Sequence, residues 1–319
     1  MNNNSSFASI SEINEVSQTD SQFSLIKDAK YLIILAIAVT ALAFSPIFTK
    51  LSEIEISPTA TIFNRLWIAT MIMGGWQLWQ TPESIQIKKF NFEYKQQGLL
   101  ILASISATLS SILWAISFTQ TSVASSTVLR SLTPLFISFG AWLILNERFN
   151  DRFLIGMTLA IIGGIVIGWD DLQLGTEHLV GDSIALLSAA LHGANILIVG
   201  YLRDRHCTTS RVLFWRCGFG ALMVLPFVWL TDIQLFPISL QGWLVVIALA
   251  VVCQTFGQGL LVYSLKQFSS SFVGIFALLK PIVTAVLAWV IFAENISFIN
   301  AIALILILVG IYLAKSSDN

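Results

Sequence analysis

The sequence predicts an all-α integral membrane protein of ten transmembrane helices, arranged as two inverted five-helix repeats. Three observations lead to this fold class. Apolar residues form 56% of the chain and charged residues 11%, less than half the charged share of ordinary soluble domains. Apolar runs of roughly 20 residues, long enough to cross a bilayer as helix, follow one another ten times. Finally, a block of the first half recurs in the second.

The ten apolar runs divide the chain evenly. They cover 31–49, 58–79, 98–118, 123–146, 153–169, 181–202, 212–230, 242–264, 271–293 and 298–314. The start is rich in Ser, Asn and Gln and lacks the basic-then-apolar order of a cleavable signal. We therefore expect a disordered cytoplasmic tail (1–29), a first repeat (30–169), an outer linker (170–180), a second repeat (181–315) and a C-terminal tail (316–319).

The repeat is visible residue by residue. The block Ser131-Leu-Thr-Pro134 recurs as Leu278-Leu-Lys-Pro281, and each copy continues through Ala-Trp to a glutamate, Glu147 and Glu294. The same offset places Ser111 on Gln258 and Gly163 on Gly310. Internal duplication is the sequence mark of repeat architectures. Because each repeat holds an odd number of helices, the second must enter the membrane from the opposite side.

Basic residues indicate the orientation, since they concentrate in cytoplasmic loops. An N-terminus inside leaves Lys50 as the one basic loop residue outside and puts the others in the cytoplasm. Those are Lys27, Lys30, Lys88, Lys89, Lys95, Arg148, Arg152, Arg203, Arg205, Arg211, Lys266 and Lys315. The prediction is a cell membrane protein, of a bacterial inner membrane, with both termini cytoplasmic.

Four cations fall inside predicted helices, where each costs about 2.5–3.5 kcal/mol at the centre. Arg65 and Arg216 lie nearer the interfaces, so we interpret them as snorkelling or structural residues, with a gate role as the alternative. Arg130 and Lys280 lie near mid-membrane beside the matched prolines. They are candidates for binding a substrate carboxylate or phosphate. The alternative is that backbone carbonyls and water satisfy them.

The acidic residues of the repeat lie elsewhere. Glu147 and Glu294 are at helix ends, where they cap helices, pair with loop cations or act at a gate. Pro134 and Pro281 are candidate helix breaks or hinges, each freeing a carbonyl towards a cavity. Gly164 and Gly168 form a GxxxG step, which indicates close helix packing within the chain or a homodimer face.

Polar side chains at helical spacing predict a wet path through the bundle. Gln254 and Gln258 share one face, and Ser188, His192 and Asn195 share another. The substrate-binding candidates are Lys280, Arg130, Gln254, Gln258, Ser111 and Trp114. His192 is the proton-coupling candidate, because it can titrate near neutral pH. The alternative for these polar residues is hydrogen bonding between helices.

With these residues in view, the chain resembles the ten-helix EamA branch of the drug/metabolite transporter superfamily over about residues 30–315. The most specific parts are the two Pro-to-Glu blocks and the Asn64-Arg65-Leu66 segment. The resemblance implies inverted five-helix repeats, a central cavity built from the first four helices of each, and alternating access. It does not transfer a substrate. Cation-exporting relatives carry an acid in the first helix, whereas 31–49 has none.

The function expected is secondary transport, with export favoured, of an anionic or zwitterionic metabolite such as an amino acid, organic acid or phosphorylated compound. A channel, receptor or scaffold is the alternative, as is a drug or cation efflux carrier. The expected partners are a small-molecule substrate, the lipid bilayer and, as an open option, a second copy of the chain; nucleic acid is not expected.

We do not expect enzyme activity, a cofactor or a metal site, since the sequence has no phosphate loop, HExxH motif or paired intramembrane aspartates. Substrate, direction and coupling ion stay open.

Overall fold

The computed structural model describes residues 29–79, 94–117, 120–121, 126, 129–167, 179–205, 207–231, 234–292 and 298–316. Within these ranges the chain is helical apart from turns and short connections. Most of the predicted N-terminal tail and outer linker lie outside the described residues. So do Gly168, Glu294 and residues 317–319.

Ten helices occupy the described ranges and follow the ten predicted apolar runs. They are α1 Ala29–Ser52, α2 Pro58–Trp79, α3 Tyr94–Ser117, α4 Thr133–Leu145, α5 Asp151–Ile167, α6 Leu179–Asp204, α7 Thr209–Thr231, α8 Leu240–Ser264, α9 in two segments, Ser270–Phe276 and Leu279–Phe292, and α10 Phe298–Lys315. Among the described helices, α1, α3, α6, α7 and α8 are each long and apolar enough to cross a membrane by themselves. The predicted all-α membrane fold is confirmed.

The two repeats show the same burial pattern. From 29 to 39 in α1 and from 179 to 189 in α6, buried, half-buried and exposed positions succeed one another identically. Equivalent helices of the two repeats also pack together: α2 on α7, α4 on the first segment of α9, and α5 on α10. Helix α6 packs on α3, while α1 meets α8, where the Cys253 thiol donates to the Ala41 carbonyl at 3.2 Å. The duplication seen in the sequence is therefore built into the packing.

The α5–α10 contact is close enough to need glycine on both sides. A Cβ added at Gly156 would lie 2.5 Å from the Gly310 carbonyl oxygen, and one added at Gly310 would lie 2.5 Å from the Gly156 oxygen. Small residues permit such backbone approach in membrane bundles. Gly164 of the predicted GxxxG step faces the Ser131 side chain of the same chain, so it packs within the chain.

Helices α4 and α9 are interrupted just before their prolines. A turn at residues 131–132 precedes Thr133, and a turn at 277–278 precedes Leu279. Each proline thus lies in the first turn of a new helical segment, where a missing N–H costs nothing. The predicted break is present, but it precedes the proline rather than coinciding with it.

The carbonyls freed by these prolines accept local hydrogen bonds. The oxygen four residues before Pro134 belongs to Arg130, and it accepts a bond of 2.6 Å from the Thr133 hydroxyl. Its counterpart before Pro281 belongs to Ala277, and it accepts from the Lys280 N–H at 3.0 Å. Local bonds satisfy both carbonyls because a buried backbone oxygen without a donor is costly.

One end of the bundle is tied together by the α1–α2 and α7–α8 loops, which come from different repeats. We call these contacts the loop clamp. Glu55 accepts bonds from the backbone N–H groups of Ile238 and Ser239, at 3.1 and 3.2 Å, and from the Ser239 hydroxyl. Asn64 of α2 donates to the Leu235 carbonyl at 2.6 Å. The Ser239 hydroxyl, helped by the backbone N–H groups, holds the pKa of the Glu55 carboxyl below its usual range.

Helix α8 changes its winding in the middle. Residues Leu249–Gly257 form a π-helical segment between two α-helical ones. Such segments are rare and occur frequently at functional sites. This one ends directly before Gln258, a substrate-binding candidate, and so sets the direction in which that side chain leaves the helix.

Candidate functional site

A small cavity lies among α6, α7, α8 and α9. Its polar lining consists of His192, Asn195, Arg216, Gln258 and Lys280. Seven apolar side chains from α6, from α8 and the residue after it, and from α9 and its break complete the wall. The space open to the centre of a water molecule is about 20 Å³, enough for water and too small for a metabolite. The site must therefore widen to admit a solute.

Lys280 enters the cavity from the break in α9. It is the second residue of the segment Leu279–Phe292, and its side chain is half-buried. The acidic residues of the described chain, by contrast, lie in loops or near helix ends, well away from this depth; they are Glu53, Glu55, Glu147, Asp151, Asp182 and Asp204. No carboxylate of the described residues therefore balances the ammonium group, which leaves it available to an anion.

Arg216 of α7 also lines the cavity, and only 8% of its surface is exposed. This burial fits the structural interpretation of Arg216 rather than snorkelling. Counting from helix ends does not reveal the cavity position, because that count carries no information about which neighbour a buried side chain meets. The cavity thus holds two cations, Arg216 from α7 and Lys280 from α9.

Helix α6 supplies His192 and Asn195, three residues apart and hence on one face. The charges of Arg130, Lys280 and Arg216 all act on the His192 ring. Asn195 is 1% exposed, and its Oδ1 atom has no hydrogen-bond partner among the described residues. The sequence placed Asn195 on a polar stripe without assigning it to substrate, since nothing in the stripe shows which amide lacks a partner.

Arg130, the other central cation, is held elsewhere. Its Nη1 donates to the Ser188 hydroxyl of α6 at 2.5 Å, and its guanidinium lies 4.6 Å from the Trp114 ring centre. Ser188 and Ser110 of α3 exchange two hydroxyl-to-carbonyl bonds of 2.8 Å. Arg130 does not line the cavity. The resemblance implied a cavity built from both repeats, whereas this lining comes from the second, because the first repeat's cation is engaged with Ser188 and Trp114.

The remaining candidates lie outside the cavity lining. Trp114 forms the cation–π contact with Arg130. Gln254 donates to the Cys217 sulfur at 3.3 Å, and the Ser111 hydroxyl bonds the Ala107 carbonyl of its own helix at 2.9 Å. The contacts of Trp114 and Gln254 fit interhelical packing, the alternative for these polar residues, whereas that of Ser111 lies within its own helix. Their substrate role stays a prediction.

The predicted structural or gate residues fall in separate places. Arg65 of α2 is half-buried, and its Nε lacks a hydrogen-bond partner among the described residues. Glu147 follows the end of α4, where its backbone N–H bonds the Ala141 carbonyl at 3.2 Å. Pro134 and Pro281 follow the two helix breaks. Neither Arg65 nor Glu147 lines the cavity, and their gate role stays a prediction.

Comparison with known proteins supplies the family. The model of the EamA-like transporter family matches residues 29–169 and again residues 179–315. The chain belongs to this family. The two matches coincide with the two repeats of helices, and membership indicates a transporter rather than an enzyme.

Relatives of this EamA protein are also named as transporters. An uncharacterized transporter of Archaeoglobus fulgidus is 22% identical over 92% of this chain and 99% of its own length. The uncharacterized transporter YetK of Bacillus subtilis is 25% identical over 67% of this chain and 66% of its own. A solved crystal structure, 16% identical, superposes with a TM-score of 0.78 over 90% of this chain and 98% of the other. That likeness shows the fold.

Proposed function

We propose that this protein is a secondary transporter that exports a small anionic metabolite by alternating access through the cavity of the second repeat. The observation that carries the proposal is the pair Lys280 and Arg216. Both line one cavity, and no acidic residue is part of that lining. Taking a cation out of water is unfavourable unless it is compensated. A substrate carboxylate or phosphate supplies that compensation.

The same charges argue against a cationic substrate. A cation in this cavity would meet Lys280 and Arg216 at short range in a medium of low dielectric, where like charges repel strongly. It would find no carboxylate among the lining residues to offset the repulsion. A zwitterion is intermediate, because its own cationic group needs a place away from both.

The position of the loop clamp supports export. With both termini in the cytoplasm, as the basic loops favour, the α1–α2 and α7–α8 loops are on the outer face. The clamp then closes the outer end. The cavity runs from Lys280 towards Leu265, which directly follows α8 at the opposite end. In the proposed export cycle the solute loads from the cytoplasm, and release requires the clamp to open.

His192 is placed to couple a proton to the anion. Its ring lies in the cavity beside Lys280 and Arg216, whose charges oppose protonation. A bound anion offsets that repulsion, so anion and proton bind cooperatively, as linkage requires. We propose that the proton travels with the anion. During net efflux of the anion, without exchange, the wild type should acidify the outer buffer, whereas the His192→Gln variant is expected to move anion without acidification; a pH-sensitive dye outside the vesicles measures the difference.

The experiment is counterflow in proteoliposomes loaded with organic acids, sugar phosphates, amino acids or cationic dyes. We expect saturable exchange of an anion by the wild type. Lys280→Met should reduce it about a hundredfold or more, the usual scale for removing one member of a buried charge pair. The matched control is Lys266→Met, which removes the same charge from an exposed residue outside the cavity.

Four results would contradict the proposal. Exchange restricted to cations would show that the substrate is positively charged. If Lys280→Met and Lys266→Met reduce anion exchange equally, the cavity is not the substrate-binding site. Flux that does not saturate would indicate a channel, and absence of any flux in a folded preparation would indicate a receptor or scaffold.

A further inference from the structure

Asn195 has a buried hydrogen-bond acceptor that the anionic group of the proposed substrate does not satisfy. Among buried side-chain atoms without a hydrogen-bond partner in the described part of the chain, its Oδ1 is the one that belongs to a cavity-lining residue. An acceptor that is buried and unsatisfied costs about 1–3 kcal/mol. A carboxylate cannot remove that cost, because both of its oxygens are acceptors.

We infer that Asn195 makes the transporter selective for anions that carry a hydroxyl group near the anionic group. This inference rests on the proposed function and adds the second recognition element of the same site. The anionic group binds between Lys280 and Arg216, and the substrate O–H donates to Asn195 Oδ1. Asn195 is a specificity-determining residue in this scheme, since it separates substrates that the two cations would treat alike.

A hydroxyl fits this position better than an ammonium group. Both can donate to an amide oxygen. An ammonium group, however, adds a third positive charge to a lining that already holds Lys280 and Arg216 and contributes no acidic side chain. A neutral donor satisfies Asn195 without that repulsion. The site therefore favours a hydroxylated acid over the corresponding amino acid.

The rest of the wall indicates an apolar body on the substrate. Val199, Leu261, Val262 and Val273 surround the polar groups on three helices. Apolar surface gains about 25 cal/mol for each Å² removed from water. A substrate that is anionic and hydroxylated at one end and aliphatic at the other matches both parts of the lining.

The test uses four acids that share one aliphatic body: 4-methylpentanoate and its 2-hydroxy, 2-methoxy and 2-amino derivatives. Counterflow and ligand-induced thermal shifts are measured for each with the wild-type protein and with Asn195→Leu. We expect the 2-hydroxy acid to bind at least about tenfold more tightly than the other three, the scale of one unsatisfied buried acceptor. Asn195→Leu, which has no side-chain acceptor, should lose this preference while still exchanging 4-methylpentanoate.

The matched control is Asn64→Leu. Asn64 is also fully buried, but its amide bonds Leu235 and Trp67 outside the cavity. This variant should lose stability and keep the hydroxyl preference. If Asn195→Leu does not fold, Asn195→Asp replaces it, and repulsion between its carboxylate and the anion should lower the affinity for all of the acids.

The outcomes separate the two proposals. If Lys280-dependent anion exchange is seen but the hydroxyl makes no difference, the selectivity of Asn195 is overturned and the anion transporter stands. A preference for the 2-amino acid overturns it as well, as does failure of all four acids to bind. If no anion of any kind is exchanged, the proposed function fails first.

Discussion

The two repeats pack together closely along α5 and α10, but they differ at the breaks in α4 and α9. Along α5 and α10 the equivalent helices of the two repeats pack on each other, with Gly156 and Gly310 each meeting the other's carbonyl oxygen. At the breaks they differ. Arg130 is hydrogen-bonded and stacked, whereas Lys280 lines a cavity. Packing is thus preserved where it builds the scaffold, and the repeats have diverged where a solute could bind.

The divergence can be traced to single positions. The repeat offset places Lys280 on Thr133 and Ala277 on Arg130. In the first repeat Thr133 uses its hydroxyl to satisfy the Arg130 carbonyl. In the second repeat the backbone N–H of Lys280 serves the equivalent carbonyl of Ala277. The Lys280 side chain is therefore not needed to satisfy this carbonyl.

The largest expected effect follows from exchanging each cation for methionine. Lys280→Met should abolish anion exchange yet raise thermal stability, by about 1–3 kcal/mol, because it removes an uncompensated charge from the membrane. Arg130→Met should lower stability, by about 1.5–3 kcal/mol, because Ser188 and Trp114 lose their partner. Thermal unfolding in detergent measures both. Shifts of the same sign in the two variants would show that the cations are equivalent.

A second prediction concerns the shared scaffold. Gly156→Ala should destabilise the protein by about 1–3 kcal/mol, since the new methyl group meets the backbone of α10 at 2.5–2.7 Å. Gly75→Ala is the matched control, because a Cβ there meets nothing within 4 Å. It should be neutral or slightly stabilising. Gly310→Ala should destabilise the protein to a similar extent, because its methyl group meets the Gly156 oxygen at 2.5 Å and the Ala160 nitrogen at 2.7 Å; a neutral effect of both substitutions would refute the close approach.

A third prediction isolates the contact that holds Arg130. Single and double variants of Arg130→Met and Ser188→Ala form a thermodynamic cycle, measured by thermal unfolding. The coupling should be about 1.5 kcal/mol, the scale of a hydrogen bond to a charged group. The pair Lys280→Met and Ser188→Ala is the control. Coupling of similar size in both pairs would indicate that Ser188 acts on the whole centre rather than on Arg130.

Sequence reasoning was effective wherever a signal is local or periodic. Apolar run length located the helices, and the repeat located both breaks. Lys280, His192 and Gln258 were singled out as polar groups at membrane depth, and the structure brings all three to one cavity. Periodicity can do this because it fixes the face of a helix on which a residue lies.

The rest depends on contacts between helices far apart in sequence. Ser188 is 58 residues from the arginine it binds, and no spacing rule connects them. The sequence does not assign Arg216 or Asn195 to a substrate for the same reason: depth can be counted along one helix, but the neighbouring side chains come from another. The π-helical winding of Leu249–Gly257 likewise has no periodic signal in the sequence.

The smallest expected effect concerns the loop clamp, where the repeats meet asymmetrically through Glu55. Because hydrogen bonds from Ser239 and Ile238 lower its pKa, this carboxylate stabilises the clamp at neutral pH. That contribution falls as the pH drops from the ordinary carboxyl pKa of 4.5 through the lowered value. We therefore measure the thermal unfolding midpoint at pH values from 7 to 3. As the pH decreases, this midpoint should fall more steeply in the wild type than in Glu55→Gln.

Glu53 provides the control of opposite sign. Burial raises the pKa of its carboxyl, so its ionised form opposes folding above that pKa, and acid relieves the penalty. Glu53→Gln should thus raise the midpoint slightly at pH 7 and steepen its loss in acid. If Glu55→Gln and Glu53→Gln shift the pH profile in the same direction, Glu55 does not stabilise the clamp. Faster exchange from Glu55→Gln vesicles at neutral pH would further show that opening the clamp limits release.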